Sequence, residues 1–330
     1  MNQTPSLTDS LPVTLSMIED ARRRIANIAY RTPMYFSPRL SALTNANVYL
    51  KLENYQPIRV FKVRGAANKI LKLSAQELKH GLIAASSGNH GLAVSYMAKI
   101  VGTKATIVVP TNAVAEKVNA IEEYGARVVK HGLFHDERFD KATEIQKSTG
   151  ALMIPPFDDP EVIAGQGTIG LEIYEDLPDV NTVIVPIGGG GLISGISIAI
   201  KCLKPSVRVI GVEPEKASSM FQSIKNGKVT RLTDTTSIAD GLAAREPGVL
   251  TYKVVKRNVD EILLVNEGQI EKAVFTTISE CHLVVEPSAA ASIAALREKA
   301  RLRAGEKVVV VVSGGNVSLR MISRILAKYD

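Results

Sequence analysis

The chain has 330 residues, 45% of them hydrophobic, enough to bury a large core and, at this size, to divide it between two lobes. Its formal charge of +7 comes from 40 basic and 33 acidic residues spread along the chain, and with 5% aromatic residues and no basic–aromatic interleaving nucleic-acid binding is not expected. No apolar run is long enough to span a bilayer, the amino terminus lacks an export pattern, and Cys202 and Cys281 read as buried helix residues without metal-ligand partners, so a soluble cytoplasmic protein is expected.

Short β-branched runs alternate with helix-like stretches along the chain, the pattern of a parallel sheet wound with helices. The predicted strands are NVYLKLE from Asn47, LIAASS from Leu82, ATIVVP from Ala105, ARVVKHG from Ala126, TVIVPIG from Thr182, RVIGVE from Arg208, EILLVN from Glu261 and KVVVVVS from Lys307. Helices of about ten to eighteen residues are expected between them. The fold class is therefore α/β with two lobes, each an open, mostly parallel twisted sheet flanked by helices. The chain is expected to cross between lobes near residues 53 and 152, giving a large domain from 1–52 and 153–330 and a small one from 53–152.

Ligands of open α/β sheets collect at the carboxyl ends of strands, which directs attention to the loops there. In FKVRGA a cation, Lys62, stands between Phe61 and Val63. A lysine pressed into apolar surroundings loses hydration and becomes a better nucleophile, the chemistry of a Schiff-base lysine, although most such lysines extend an apolar stem and leave the ammonium in water. The loop SSGNHG, Ser86 to Gly91, suits either an anion cradle or an ordinary serine cap. Four consecutive glycines, Gly188 to Gly191, stand before a helix, where a phosphate cradle explains their entropic cost better than a plain turn. Ser313, at the end of the last strand, could meet a ligand heteroatom or cap the final helix.

The glycine run matches neither a P-loop nor GxGxxG, yet Glu213 ends the next strand about where a dinucleotide fold places its ribose-binding acid, so a nicotinamide oxidoreductase remains a competitor. HExxH, CxxC, GxSxG and EF-hand patterns are missing from the sequence, and His131 and His135, at helical spacing but with no third ligand, make a poor metal pair.

Together a phosphate cradle, a second anion loop, a lysine in apolar surroundings and a serine-tipped strand suit a phosphorylated aldehyde cofactor. The chain resembles the fold-type II pyridoxal-phosphate enzymes of the tryptophan-synthase-β type, specifically the threonine dehydratase and serine racemase group. The matches run from RTPMYFSPRLS through KLENYQ, FKVRGA, SSGNHG, PFDDPEVIAGQGTIGLEI, GGGGLISG, GVEPEKA, IADGLA and VEPSAA to VSGGN. The resemblance implies that Lys62 forms the Schiff base with pyridoxal 5'-phosphate and later removes the substrate's Cα proton. It further implies that Phe61 and Gly241 sandwich the pyridine ring, Asn89 bonds its 3'-oxygen, Gly188, Gly189, Gly190 and Gly191 hold the phosphate, and Ser313 meets the ring nitrogen. The substrate carboxylate would lie on Ser86, Ser87, Gly88, Asn89 and His90. The implied reaction is β-elimination of L-threonine or L-serine to a 2-oxo acid and ammonia, by a homodimer or homotetramer.

The chain departs from the group in three places. Ile58, Arg59 and Val60 stand where the group usually reads Thr-Gly-Ser, so the pocket is expected to differ, with Arg59 either in solvent or paired with a second anionic group, as in 3-hydroxyaspartate. Ser87 is alanine in many dedicated dehydratases and serine in racemases, where it protonates the opposite face of the carbanion, which keeps an amino-acid racemase as the second reading. The group's site for Mg2+ or another divalent cation corresponds to Glu213, the Ala217 carbonyl and Ser219, where an aspartate is usual, so its charge is weakened. With the chain ending at Asp330, feedback inhibition by isoleucine through a C-terminal regulatory domain is not expected.

Overall fold

A computed structural model describes residues 11, 13–86, 88–113, 115–133 and 135–329. Its strands are β1 (Met34–Phe36), β2 (Asn47–Leu52), β3 (Leu82–Ala85), β4 (Ala105–Val109), β5 (Arg127–Lys130), β6 (Leu152–Met153), β7 (Thr182–Pro186), β8 (Arg208–Pro214), β9 (Glu261–Val265) and β10 (Lys307–Val312). They form a six-stranded sheet in the order β1-β2-β10-β7-β8-β9 and a four-stranded sheet in the order β5-β4-β3-β6. Every pairing is parallel except that of the edge strand β1, which runs antiparallel to β2 with Tyr35 opposite Leu50.

All the strands read from β-branched runs form. The short β1 and β6 were not expected, because three and two residues carry no readable alternation; each exists only through its neighbour, as where Leu152 pairs with Leu82.

The helices are α1 (Leu15–Ile25), α2 (Pro38–Thr44), α3 (Lys62–Ile70), α4 (Ala75–Leu78), α5 (Asn89–Val101), α6 (Ala115–Glu123), α7 (His135–Thr149), α8 (Pro160–Asp176), α9 (Gly191–Leu203), α10 (Ser219–Asn226), α11 (Val249–Asn258), α12 (Glu267–Cys281), α13 (Pro287–Glu298) and α14 (Leu319–Tyr329). Several are shorter than expected, with seven residues in α2 and four in α4, since tertiary packing stabilises segments too short to be helical alone.

β10 shows why its sequence is continuously apolar. Val308, Val310 and Val312 enter the core beneath α12 and α13, while Val309 and Val311 enter the core beneath α8, α9 and α11, so both faces are buried. The four-stranded sheet has its own core, with Val63, Ile70, Val94 and Ile121 from α3, α5 and α6 on one face and Ala142 of α7 on the other. Cys281 is buried as expected. Cys202 is exposed, because the last turn of α9 runs out of the core.

Candidate active site

β10 ends where the chain preceding α3 crosses it. The amide of Phe61 donates to the Ser313 carbonyl at 3.1 Å, Val60 bridges Gly314, Gly315 donates to the Arg59 carbonyl at 2.9 Å, and the Asn316 side chain donates to the Ile58 carbonyl at 3.0 Å. This zipper delivers Lys62, the first residue of α3, to the carboxyl edge of the larger sheet. The lysine Nζ donates to the Pro156 carbonyl at 2.7 Å and borders a cavity of about 140 Å3. Burial pushes its pKa down to about 8, against the opposing pull of Glu286. A cation at a helix amino terminus also meets the positive end of the helix dipole, which acts in the same direction.

Gly189 and Gly241 line the same cavity, as do Ser86, Gly88, Asn89 and His90. Gly188 belongs to the same close-packed loop, since a Cβ there would lie 2.9 Å from the Gly241 carbonyl oxygen; a Cβ on Gly189 would collide with the Phe157 ring. Gly190 has φ +95°, a backbone conformation that glycine adopts without strain. Neighbouring helix termini are capped by acids. Asp159 accepts from Glu161 and Val162 at the start of α8, and Asp158 accepts from Val249, Leu250 and Thr251 at the start of α11. Among the described residues no side chain caps the start of α9, whose N-cap, Gly190, belongs to the glycine loop.

The second loop opens α5, with Gly88 at the N-cap and no side-chain cap among the described residues. Ser86 accepts from the Gly88 amide at 3.1 Å, and a His90 ring nitrogen lies 2.7 Å from the Ile154 carbonyl. Ser87 lies outside the described residues. Arg138 of α7 reaches this cavity from the other side; it is 7% exposed, and its Nε has no hydrogen-bond partner among the described residues.

Sequence reasoning missed four charged groups here: Arg138, Glu286, Lys117 and Asp240. Asn89 donates to both oxygens of Glu286, at 2.8 and 3.0 Å, and accepts from Asn316 at 2.9 Å. Burial, with Asp240 adding to it, pushes Glu286 up to about 7. Lys117 of α6 forms an ion pair with Asp240 across the cavity mouth. Glu286 stood inside the motif VEPSAA and Asp240 beside Gly241, but nothing local marked them as partners of residues 197 and 123 positions away.

One expectation is corrected, and Arg59 is exposed, as the first of its two readings had it. Ile58 and Val60 do not reshape the pocket: they are 3% and 0% exposed and pack in the core of the four-stranded sheet. Arg59 borders a second cavity of about 480 Å3, which shares Gly88, Asn89, Lys117 and Asp240 with that of Lys62. Its backbone is left-handed, at φ 59°.

The cation residues lie apart, at the end of β8. Both Glu213 oxygens accept helix amides, from Met220 at 2.9 Å and Phe221 at 2.7 Å, and burial pushes this carboxyl up to about 8. Ser219 adds a buried neutral hydroxyl with no hydrogen-bond partner among the described residues. One carboxylate already committed to a helix terminus, with a hydroxyl and a carbonyl, does not fit a hard divalent cation, and among the described residues no cluster of three acidic, His or Cys side chains suits a metal. The site for pyridoxal phosphate, by contrast, fits: an amine of lowered pKa and a glycine-lined helix terminus share one cavity.

The family of pyridoxal-phosphate dependent enzymes matches residues 25–314. The chain is 46% identical to an L-threonine ammonia-lyase of Thermotoga maritima, over 96% of this chain and 79% of that one. It is 42% identical to the catabolic L-threonine dehydratase TdcB of Escherichia coli K12, over 98% and 99%. Among solved structures it resembles maize serine racemase, with a TM-score of 0.91 and 36% identity over 96% and 98% of the two chains.

Proposed function

Since the chain belongs to the pyridoxal-phosphate-dependent enzymes, we propose that it is an ammonia-lyase converting L-threonine, and L-serine beside it, to a 2-oxo acid and ammonia. The observation that carries this reading is the meeting of Lys62, the glycine loop and the α5 terminus at one cavity. When bound, pyridoxal phosphate supplies the electron sink that makes Cα–H acidic and lets a β-hydroxyl depart.

The chain's own residues do the rest. Gly188 to Gly191, at the start of α9, hold the phosphate with backbone donors and the helix dipole. Lys62 would hold the cofactor's aldehyde carbon and, as a free amine, would take the substrate's Cα proton; its pKa of about 8 leaves a usable neutral fraction near pH 7. The α5 terminus with Ser86, Gly88 and His90, together with Arg138, receives the substrate carboxylate, and Phe61 and Gly241 flank the ring. Asn89 bonds the 3'-oxygen while held by Glu286. Ser313 would meet the ring nitrogen with a neutral hydroxyl, which does not enforce ring protonation as a carboxylate would.

Residues 53–152 are taken as a small lobe that closes on the remainder, with Lys117 and Asp240 meeting across the mouth. The enzyme is placed in the cytoplasm as a homodimer or homotetramer; no helix of the described residues is long and apolar enough to cross a membrane. The test is the product mixture from L-threonine, L-serine and threo-3-hydroxyaspartate, scored for 2-oxo acid, ammonia and chirality. Oxo acid and ammonia from threonine support the reading, whereas D-serine as the main product replaces it with racemisation.

A further inference from the structure

Behind Lys62 lies a buried polar network that the proposed chemistry does not use. Arg64 is 1% exposed and spends its guanidinium on three separate segments. Nε and Nη2 donate to Glu53 at 2.8 Å each, Nη1 donates to Glu172 at 2.6 Å and to Thr168 at 3.0 Å, and Nη2 also reaches Glu172 at 2.9 Å and the Tyr30 carbonyl at 3.0 Å. Lys51, fully buried, completes the set by pairing with Glu172 at 2.7 Å and donating to the Thr32 carbonyl at 2.7 Å. Lys51 also lies 3.8 Å from Asp176, itself paired with Arg31, so every charge of the network has an opposite neighbour.

Buried ion networks add little net stability over apolar packing, so their use is better sought in the geometry they impose. Here that geometry concerns α3. Residues two apart on a helix point about 200° away from each other, so Arg64 and Lys62 face opposite sides. Clamping Arg64 inward to the end of β2 and to α8 therefore turns Lys62 outward to the cavity. Close helix contacts fix the remaining freedom. A Cβ on Gly65 would lie 2.8 Å from the Val162 carbonyl, and one on Gly165 would lie 2.6 Å from that of Arg64, so α3 sits directly on α8. A Cβ on Gly170 would lie 2.8 Å from that of Ala199, so α8 sits directly on α9. Helix α8 is thus the spacer between the helix of the lysine and the helix of the glycine loop.

We propose that Arg64 is a positioning residue for Lys62, fixing the rotation of α3 by bridging Glu53 and Glu172. This rests on the reading of Lys62 as the cofactor lysine. The test compares wild type, Arg64→Lys and the milder, near-isosteric Thr168→Val, all loaded with pyridoxal phosphate, with Ile270→Val in α12 as a stability control. Lysine keeps the charge but cannot bridge two carboxylates with a planar fork. Arg64→Lys is expected to lose about tenfold to a hundredfold in kcat with KM within about twofold, and Thr168→Val to lose less. In both, the visible circular dichroism of the bound cofactor should weaken and apo chain should react more slowly with added cofactor, while Ile270→Val matches wild type. Wild-type kcat and dichroism in Arg64→Lys overturn the proposal; if that variant does not fold, the same result in Thr168→Val does so. Borohydride reduction and peptide mapping of wild type separate the two ideas, since label on another lysine overturns the Lys62 reading and the proposal with it.

Discussion

Asn89 and Glu286 are joined by a two-pronged contact, the amide of one donating to both carboxylate oxygens of the other at 2.8 and 3.0 Å. Glu286 is buried, and its pKa of about 7 stands above the ordinary 4.5. A carboxyl whose folded pKa is raised binds more protons folded than unfolded, so its contribution to stability is present below about pH 4.5 and lost as pH rises through about 7. Glu286→Gln abolishes that titration. Its melting temperature relative to wild type should therefore rise between pH 5 and pH 8, and a pH-independent difference would refute the assignment.

Lys62 reacts with an aldehyde only as the neutral amine. With its pKa near 8, the rate at which apo chain takes up pyridoxal phosphate should climb with pH and level off above about pH 8, followed by visible absorbance. Lys62→Ala should lose about 10^3-fold or more in kcat and yield no covalently labelled peptide after borohydride.

Gly189 has no room for a methyl group because the Phe157 ring occupies the position. Gly189→Ala should cost about 1–3 kcal/mol and weaken cofactor binding, measured by thermal unfolding and cofactor titration. Adding Phe157→Ala removes the collision and should restore part of both losses. If the second substitution recovers neither, the steric account is wrong.

Arg59 holds a left-handed backbone at φ 59°, which costs a non-glycine residue about 1 kcal/mol. Arg59→Gly should therefore raise stability by no more than about 0.5 kcal/mol after glycine's own entropic cost is subtracted. A lower melting temperature would show that the arginine side chain contributes more than its backbone strain removes.

Glu213 has both oxygens on the α10 terminus, and the neighbouring candidate ligand Ser219 offers a neutral hydroxyl. Adding Mg2+, Mn2+ or Ca2+, or removing cations with EDTA, should leave the melting temperature within about 1 °C, since a ligand that binds the folded state must raise it. A rise that grows with cation concentration would restore the cation site.

Much of the fold was legible because its cause is local. Runs such as Lys307–Val312 and Thr182–Pro186 are apolar at every position since both faces of a central strand are covered, and that can be read without knowing what covers them. The glycine loop was legible for a similar reason: four glycines before a helix make sense only where backbone must come close to something. The amino-acid sequence by itself thus determined the α/β class and the eight principal strands, and it singled out the glycine loop and Lys62, which the fold brings to one cavity. Only the tertiary structure decided that Glu286 holds Asn89, that Arg138 enters the cavity, that Arg59 borders a second one, and that Arg64 clamps Glu53 to Glu172. These are contacts between segments far apart in the chain. A polar side chain's partner is set by where the backbone brings other polar groups, while an apolar side chain only has to leave water.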